Sequence, residues 1–88
     1  MNIRIDETFE KDLRKIKSKP LDKKVALLIR ELLAAESLTE IRNLKLLKGS
    51  DVHYRIRLGD YRVGLIVSGK TLILVRILHR KEIYRFFP

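Results

Sequence analysis

The stretch VHYRIRLGDYRVGLIV, residues 52–67, has the clearest structural signature in this chain. On both sides of Gly59-Asp60, apolar and charged side chains alternate, which is the period of a half-buried strand. Because Gly59-Asp60 is a tight-turn signal, the stretch predicts a β-hairpin with a two-residue loop. In that register Arg57 faces Arg62 on one side of the sheet, while apolar residues meet on the other side.

A further strand is predicted over 72–78, because nearly every residue there is apolar, as is typical of a central strand. A two-residue loop at Gly69 would place Arg76 on the apolar face, where an unpaired charge is very costly. A three-residue loop over 68–70 avoids this cost and sets Arg76 opposite Arg62. The sequence therefore predicts an arginine row across three strands, made of Arg57, Arg62 and Arg76.

The N-terminal half changes to helical spacing. A short strand over 2–5 precedes a first helix that Asp6 can cap, and this helix ends near Ser18 because the residue before a proline avoids the helical region. Pro20 can open a second helix, and the two helices form a hairpin with an apolar stripe on each. The stripe residues are Phe9, Leu13, Ile16, Val25, Leu28, Ile29, Leu32 and Leu33. The next residues, 37–49, have no clear period, and their leucines are expected to close the edge of the core.

The predicted fold class is α+β, with an N-terminal strand and a helical hairpin packed on an antiparallel β-sheet. A short C-terminal helix is expected over 80–87. The chain has 88 residues, of which 45% are hydrophobic, so we expect a single domain, 1–88, with a small core.

The charge of the chain points to a nucleic-acid partner. Lysine and arginine number 20 against 11 aspartates and glutamates, which gives a net charge of +9, and such a basic balance is typical of nucleic-acid binders. An acidic protein partner is the alternative. The absence of cysteine excludes disulfides and cysteine-ligated zinc, and two histidines alone are too few for a metal site, so no cofactor or metal is expected. No signal peptide or membrane span is recognisable, and the cytoplasm is the expected location.

The exposed sheet face is the candidate binding surface. Its strands carry no acidic residue on this face, so an arginine row suggests an external anion, and guanidinium groups match phosphate geometry bidentately. Gly64, which faces Arg55, is expected to leave open space where a nucleic-acid backbone or base could approach. An acidic protein tail could occupy the same face, and an ordinary solvated strand face is the plain alternative.

The C-terminal segment adds further candidates. Arg80 and Tyr84 are four residues apart on the predicted helix and therefore share a face. Tyr84 could stack on a base or contact a phosphate, or it could pack as an ordinary amphipathic ring. His79 precedes Arg80 and is expected near the mouth of the arginine face, and His53, next but one to Arg55, is a weaker candidate.

Two segments resemble a known family. Residues 54–62, YRIRLGDYR, resemble the YRIRxGDYR segment of toxins of the RelE/ParE superfamily, and residues 74–85, LVRILHRKEIYR, resemble their VLRIxHRKxxYR segment. Residues 43–49 resemble their LKLLKG lead-in. With the helical hairpin, the resemblance spans nearly the whole chain, and the two segments at this spacing are fairly specific.

The resemblance implies a toxin of a type II toxin–antitoxin system. Such toxins are neutralised by a cognate antitoxin protein, and a DNA-bound complex of the two is a further expectation. RelE-like members cleave mRNA in the ribosomal A site without a metal, whereas ParE-like members inhibit DNA gyrase. The complete ending from His79 to Tyr84 favours the RelE-like branch. A non-catalytic nucleic-acid-binding module is the third alternative.

The resemblance also implies roles for single residues in an attack of a ribose 2′-OH on the adjacent phosphorus. The family often has lysines where Arg55 and Arg57 stand, and arginine cannot act as a general base because it effectively never loses its proton. The base role therefore passes to His79 or Tyr84. The expected catalytic residues are Arg57, Arg62, Arg80, Tyr84 and His79. The expected nucleic-acid-binding residues are His53, Arg55, Arg57, Arg62, Arg76 and Arg80.

Overall fold

The structure, a computed structural model, describes residues 1–88 and confirms the α+β class. The elements, in chain order, are β1 (Asn2–Ile5), α1 (Glu7–Ile16), α2 (Lys19–Ala34), a 3-10 turn (Leu38–Glu40), β2 (Leu44–Leu46), β3 (His53–Leu58), β4 (Tyr61–Ser68), β5 (Thr71–His79) and α3 (Ile83–Phe86). They form one five-stranded sheet in the order β1-β5-β4-β3-β2, with β1 parallel to β5 and the other pairs antiparallel. The structure thus adds β2, an edge strand within the segment that had no clear period.

The helical hairpin forms where the sequence predicts it. Lys17 adopts a left-handed conformation (φ 51°) that ends α1, and its amide N–H donates to the Leu13 carbonyl. The Ser18 side chain accepts from the Leu21 amide and caps α2, with a proline in the first turn. The prediction is wrong at Leu33, which is 55% exposed because it lies about 100° around the helix from buried Leu32.

The main core lies between the hairpin and the sheet and comprises Phe9, Leu21, Val25, Leu28, Leu32, Ile56, Val63, Leu65, Leu72, Leu74 and Ile77.

The β3–β4 hairpin has the predicted register. Its partners are Leu58 with Tyr61, Arg57 with Arg62, Ile56 with Val63, and Arg55 with Gly64. Gly59 has a positive φ of 63° in the loop, a conformation that costs glycine little. Since Ile56 and Val63 are both buried, the arginines lie on the opposite face of the sheet.

The predicted register of the β4–β5 hairpin is wrong. Ser68 pairs with Thr71, so the loop has two residues, and a β-bulge then shifts the register between Gly64 and Leu65. Leu65 pairs with Leu74, but Gly64 pairs with Arg76, which leaves one extra residue on β5. The bulge changes the alternation along β5, and a two-residue loop therefore does not force Arg76 into the main core. Arg62 pairs with Leu78 rather than Arg76, and the three-member arginine row does not form.

Arg76 instead belongs to an ion pair between α1 and β5. Asp12, which is buried, accepts from Arg76 Nε at 2.7 Å and from Arg76 Nη2 at 3.0 Å. The same carboxylate accepts from the Ile77 amide at 3.1 Å, where β5 extends beyond the end of its neighbour β1. The hydrogen bonds that Arg76 donates to Asp12 outweigh the effect of burial and raise the pKa of Arg76. This arginine is therefore neutralised within the protein and is a poor candidate for binding nucleic acid.

A second, small core lies on the sheet face away from the helical hairpin. Its buried members are Leu47, Ile83 and Phe87, and they pack against Ile66, Val75 and Leu78. A Cβ atom on Gly64 would lie 2.7 Å from Cγ and Cδ2 of the Phe87 ring. The expectation of open space at Gly64 is therefore wrong, because the C-terminal segment fills it. The C-terminal helix is also shorter than predicted, since α3 begins only at Ile83.

We expect Gly64→Ala to destabilise the fold by about 1–3 kcal/mol, because the added methyl group overlaps the Phe87 ring. Thermal unfolding followed by circular dichroism measures this loss. The double variant Gly64→Ala/Phe87→Leu is the control, since a smaller side chain makes room for the methyl group. It should lose less stability than the sum of the two single variants, and simple additivity would contradict the proposed packing.

Candidate nucleic-acid interface

Four arginines gather on the sheet face away from the helical hairpin, and we call them the arginine cluster: Arg55, Arg57, Arg62 and Arg80. Arg55 and Arg57 alternate along β3, and Arg62 lies on β4 directly opposite Arg57. Arg80 follows β5, and its amide donates to the Asp60 carbonyl of the β3–β4 loop at 2.8 Å. The strands thus bring together three positive charges, and the end of β5 adds a fourth.

Arg62 is the electrostatic centre of the arginine cluster. Partial burial lowers the pKa of Arg62, and the positive charges of Arg55, Arg57 and Arg80 lower it further, while Tyr84 acts in the opposite direction. Its Nη1 donates to the Gly59 and Tyr61 carbonyls at 2.8 and 2.9 Å, and its other guanidinium nitrogens have no protein acceptor. The cluster therefore holds a concentrated positive charge with free donors, an arrangement that favours a bound anion.

Asn43 contacts two members of the arginine cluster, which the sequence did not indicate. Its carbonyl accepts from Arg55 Nη1 at 3.1 Å, and its side-chain Oδ1 lies 3.4 Å from Arg57 Nη2. Lys45 was missed as well: it pairs with Arg55 across β2 and β3 and therefore shares its face. The alternation in Leu44-Lys45-Leu46 was the available signal for Lys45, since it is the period of a strand.

Tyr84 lies beside the arginine cluster on α3. It is 60% exposed, and it raises the pKa of Arg62. Arg80 precedes α3 rather than belonging to it, so the expected helical spacing of Arg80 and Tyr84 is wrong. Both residues influence the pKa of Arg62, which Arg80 lowers and Tyr84 raises.

The two histidines lie apart from the centre of the cluster. His79 pairs with Tyr61, and the centroids of their rings are 5.7 Å apart. Both residues line a groove at the edge of the sheet, together with Asp12, Lys15 and Arg76. The expected position of His79 at the mouth of the arginine face is wrong, because alternation along β5 turns its side chain the other way from Leu78, the partner of Arg62. His53 shares a hydrogen bond of 2.8 Å with Ser50 and contacts the edge of Phe87, which indicates a structural role.

The described residues provide no group of three histidine, aspartate or glutamate side chains that could hold a metal ion. None of the helices is long and apolar enough to cross a membrane. The arrangement can bind a phosphate and stabilise negative charge that develops on it.

A model of the ParE toxin of type II toxin–antitoxin systems matches residues 3–84 of the chain. The chain belongs to this toxin family. A curated relative, the toxin RelE3 of Methanocaldococcus jannaschii, is 40% identical over the full length of both proteins. The structure resembles that of a RelB–RelE antitoxin–toxin complex from Methanococcus jannaschii, with a TM-score of 0.80, 41% identity, and coverage of 97% of this chain and 99% of the other.

Two more distant solved structures share the fold. YafQ from E. coli has a TM-score of 0.72 at 17% identity, with coverage of 94% of this chain and 97% of the other. The RelBE2 toxin–antitoxin complex from Mycobacterium tuberculosis has a TM-score of 0.61 at 23% identity, with coverage of 90% and 96%. The ParE family model and the RelE relative together confirm a type II toxin of RelE/ParE type.

Proposed function

We propose that this toxin is a ribosome-dependent mRNA endonuclease of the RelE type that acts in the cytoplasm. The single observation that carries the proposal is the arginine cluster, in which Arg62 lies directly opposite Arg57 and neighbouring positive charges lower the pKa of Arg62. Like charges at this spacing destabilise a fold unless an anion compensates them. The 40% identity to a toxin named RelE3 over the whole chain supports the same branch.

The proposed reaction is an attack of a ribose 2′-oxygen on the adjacent phosphorus. A bond forms between the 2′-oxygen and phosphorus while the bond from phosphorus to the 5′-oxygen breaks, which leaves a 2′,3′-cyclic phosphate and a 5′-hydroxyl. The 2′-hydroxyl gives up one proton and the leaving 5′-oxygen takes one up. Arg57, Arg62 and Arg80 stabilise the negative charge that develops on the phosphate oxygens, and Arg55 positions the strand.

Proton transfer in this reaction falls to Tyr84. The two candidates from the sequence were His79 and Tyr84, but the His79 ring lies in the sheet-edge groove beside Tyr61. Tyr84 is exposed on α3 and raises the pKa of Arg62, so we assign the proton transfer to its hydroxyl. The chemistry needs no metal, since the arginines supply the positive charge, and the ribosome contributes by aligning the 2′-hydroxyl.

The partners follow from the same charge distribution. Two of the similar structures are complexes of a toxin with an antitoxin, and we propose that a cognate antitoxin with acidic residues neutralises this chain, whose net charge is +9. Leu27 and Leu33 on α2 are 58% and 55% exposed, and an apolar antitoxin segment would cover them. A DNA-bound complex of both proteins is part of the proposal.

Mapping of RNA 5′ ends in an active translation extract tests the proposal. The extract is incubated with and without the purified toxin, and in parallel with an inhibitor that halts translation before the toxin is added. We expect new 5′ ends within reading frames, and these should require translating ribosomes. Cuts on naked RNA at the same rate would refute ribosome dependence, and absence of any cut would refute the nuclease.

Inhibition of DNA gyrase without any chemistry is the second candidate. Two observations favour it: the matching family model carries the ParE name, and the arginine cluster contains no lysine or histidine at the positions of Arg55 and Arg57 that could serve as a base. A toxin that stops growth but cuts no mRNA would favour this candidate, and a supercoiling assay with purified gyrase would then decide it. A non-catalytic binding module would show strongly salt-dependent binding without toxicity.

We expect Tyr84→Phe to lower the cleavage rate by about tenfold or more, because positioned proton-transfer groups contribute at least this much. RNA binding should change little, since the ring remains. Tyr54→Phe is the matched control, because Tyr54 lies on β3 against the main core and loses the same hydroxyl. Cleavage and affinity are measured for both variants on the same RNA, and equal losses of the two in Tyr84→Phe would mark Tyr84 as a binding residue instead.

A further inference from the structure

Asn43, which immediately precedes β2, has a backbone conformation that is unusual for a residue with a side chain. Its φ is 62°, in the left-handed region that asparagine tolerates better than most residues. Lys17, at the end of α1, is the other non-glycine residue with a positive φ, and there the conformation serves to end a helix. Asn43 lies in the turn that leads into β2, where asparagine tolerates this conformation, and the turn sets the direction of its carbonyl.

The Asn43 carbonyl is directed at the two arginines of β3. It accepts from the Arg57 amide at 3.2 Å and from the Arg55 guanidinium Nη1 at 3.1 Å. The Asn43 side chain adds a longer contact of 3.4 Å from its Oδ1 to Arg57 Nη2. One residue thus contacts both arginines, and the shorter contacts depend on the direction of its carbonyl.

Arg55 and Arg57 need such an anchor because their surroundings oppose their placement. They lie two residues apart on one face of β3, and both charges act on Arg62. The Nε atom of Arg55 is buried and has no hydrogen-bond partner, which is a costly arrangement. Without a fixed acceptor, mutual repulsion would favour conformations in which the guanidinium groups move apart into solvent.

We propose that Asn43 is a positioning residue that holds Arg55 and Arg57 in the conformation in which they receive the phosphodiester. Only the expected effect on the cleavage rate rests on the proposed nuclease function. The positioning itself is a property of the free protein. Since misplacement of a catalytic group by about 1 Å can cost 100-fold in rate, an anchor outside the reaction centre can matter greatly.

Substitutions at Asn43 and Lys17 form a matched set that separates positioning from stability. Asn43→Gly keeps the left-handed backbone and the carbonyl but removes Oδ1, whereas Asn43→Val disfavours the left-handed conformation and redirects the carbonyl. Lys17→Gly and Lys17→Val make the same two backbone changes at the end of α1, away from the arginine cluster. If the two valine variants lose similar stability, any difference between them in the mobility of the arginines or in kcat comes from positioning and not from loss of stability.

The first readout is the mobility of the Arg55 and Arg57 side chains, measured as NMR order parameters of their Nε–Hε bonds. We expect Asn43→Val to make both side chains more mobile and Asn43→Gly to affect Arg57 more than Arg55. Both Lys17 variants should leave them as they are in the wild type. Unchanged order parameters in a folded Asn43→Val protein would overturn the inference, whether or not the toxin cleaves RNA.

The second readout is cleavage at a temperature where every variant is folded. We expect Asn43→Val to lower kcat by about tenfold or more, Asn43→Gly to lower it by a smaller factor, and both Lys17 variants to retain the wild-type kcat. Equal kcat values for Asn43→Val and Lys17→Val would overturn the positioning role. A wild-type protein that cleaves nothing, with the expected changes in mobility, would instead refute the nuclease and leave the positioning of the arginines intact.

Discussion

Arg62→Ala is expected to lower mRNA cleavage by at least about 100-fold and to abolish growth inhibition, because loss of one preorganised donor to a developing anion typically costs this much. Arg62 is the member of the arginine cluster on which the other three charges act, so its removal takes away the centre of the positive field. The free Nε and Nη2 atoms are the donors that this substitution removes from the phosphate.

The fold should survive Arg62→Ala. The substitution removes two stabilising hydrogen bonds, from Arg62 to the Gly59 and Tyr61 carbonyls. It also removes a partly buried charge that lies among like charges, and this removal favours the folded state. The lowered pKa of Arg62 means that the folded state disfavours its charged form relative to the unfolded state at every pH below the ordinary range of arginine. The two effects oppose each other, and we expect a net change within about 1 kcal/mol.

Arg85→Ala is the matched control for Arg62→Ala. Arg85 lies on α3 over the exposed ring of Phe86, and it is not among the charges that lower the pKa of Arg62. Both variants lose one positive charge, so the general attraction to RNA falls equally. Cleavage by Arg85→Ala should stay within about threefold of the wild type, whereas a folded Arg62→Ala protein that cleaves as well as Arg85→Ala would refute the assignment of the site.

The alternation of side chains was sufficient to predict the β3–β4 hairpin and three of the four arginines in the cluster. Alternation works there because both strands are regular and a single two-residue loop joins them. It failed at β5, where the bulge opposite Gly64 changes which residues share a face. Gly64, an isolated glycine within a strand, was a signal for a bulge, but it does not fix which strand carries the extra residue, so spacing alone could not place Arg76.

Contacts between distant parts of the chain account for the other errors. Asp12 is separated from Arg76 by most of the sequence, and the cost of burying Arg76 was assessed without this partner. The space at Gly64 is filled by the ring of Phe87, which lies far from Gly64 along the chain. The sheet face on which His79 lies could have been predicted from the sequence. Side chains alternate along β5, so His79 lies on the opposite face from Leu78, with Tyr61 and away from Arg62.

Asp12→Ala is expected to cause the largest loss of stability of any single substitution discussed for this chain. The Asp12 carboxylate accepts three hydrogen bonds, two from the Arg76 guanidinium and one from the Ile77 amide. Its side chain is 9% exposed and that of Arg76 is 25% exposed, so water replaces few of these bonds when the carboxylate is lost. Removal of one partner of a buried ion pair costs about 3 kcal/mol or more.

This loss is large for a domain of this size, whose total stability is on the order of 5–10 kcal/mol. A loss of about 3 kcal/mol lowers the melting temperature of a domain of this length by about 15 °C. Because the pair raises the pKa of Arg76, its stabilising contribution is present throughout the range below the ordinary pKa of arginine. The difference between the wild type and Asp12→Ala should therefore not change between neutral and mildly alkaline pH.

Glu10→Ala provides the control for Asp12→Ala on the same helix. Glu10 forms an exposed pair with Arg14 at 3.8 Å, and such a pair contributes about 0.5 kcal/mol or less. Thermal and urea unfolding of both variants measures the difference. If Asp12→Ala is as stable as Glu10→Ala, the attachment of α1 to β5 does not depend on this carboxylate. If Arg76→Met added to Asp12→Ala restores much of the lost stability, the cost lies mainly in the unpaired guanidinium rather than in the amide of Ile77.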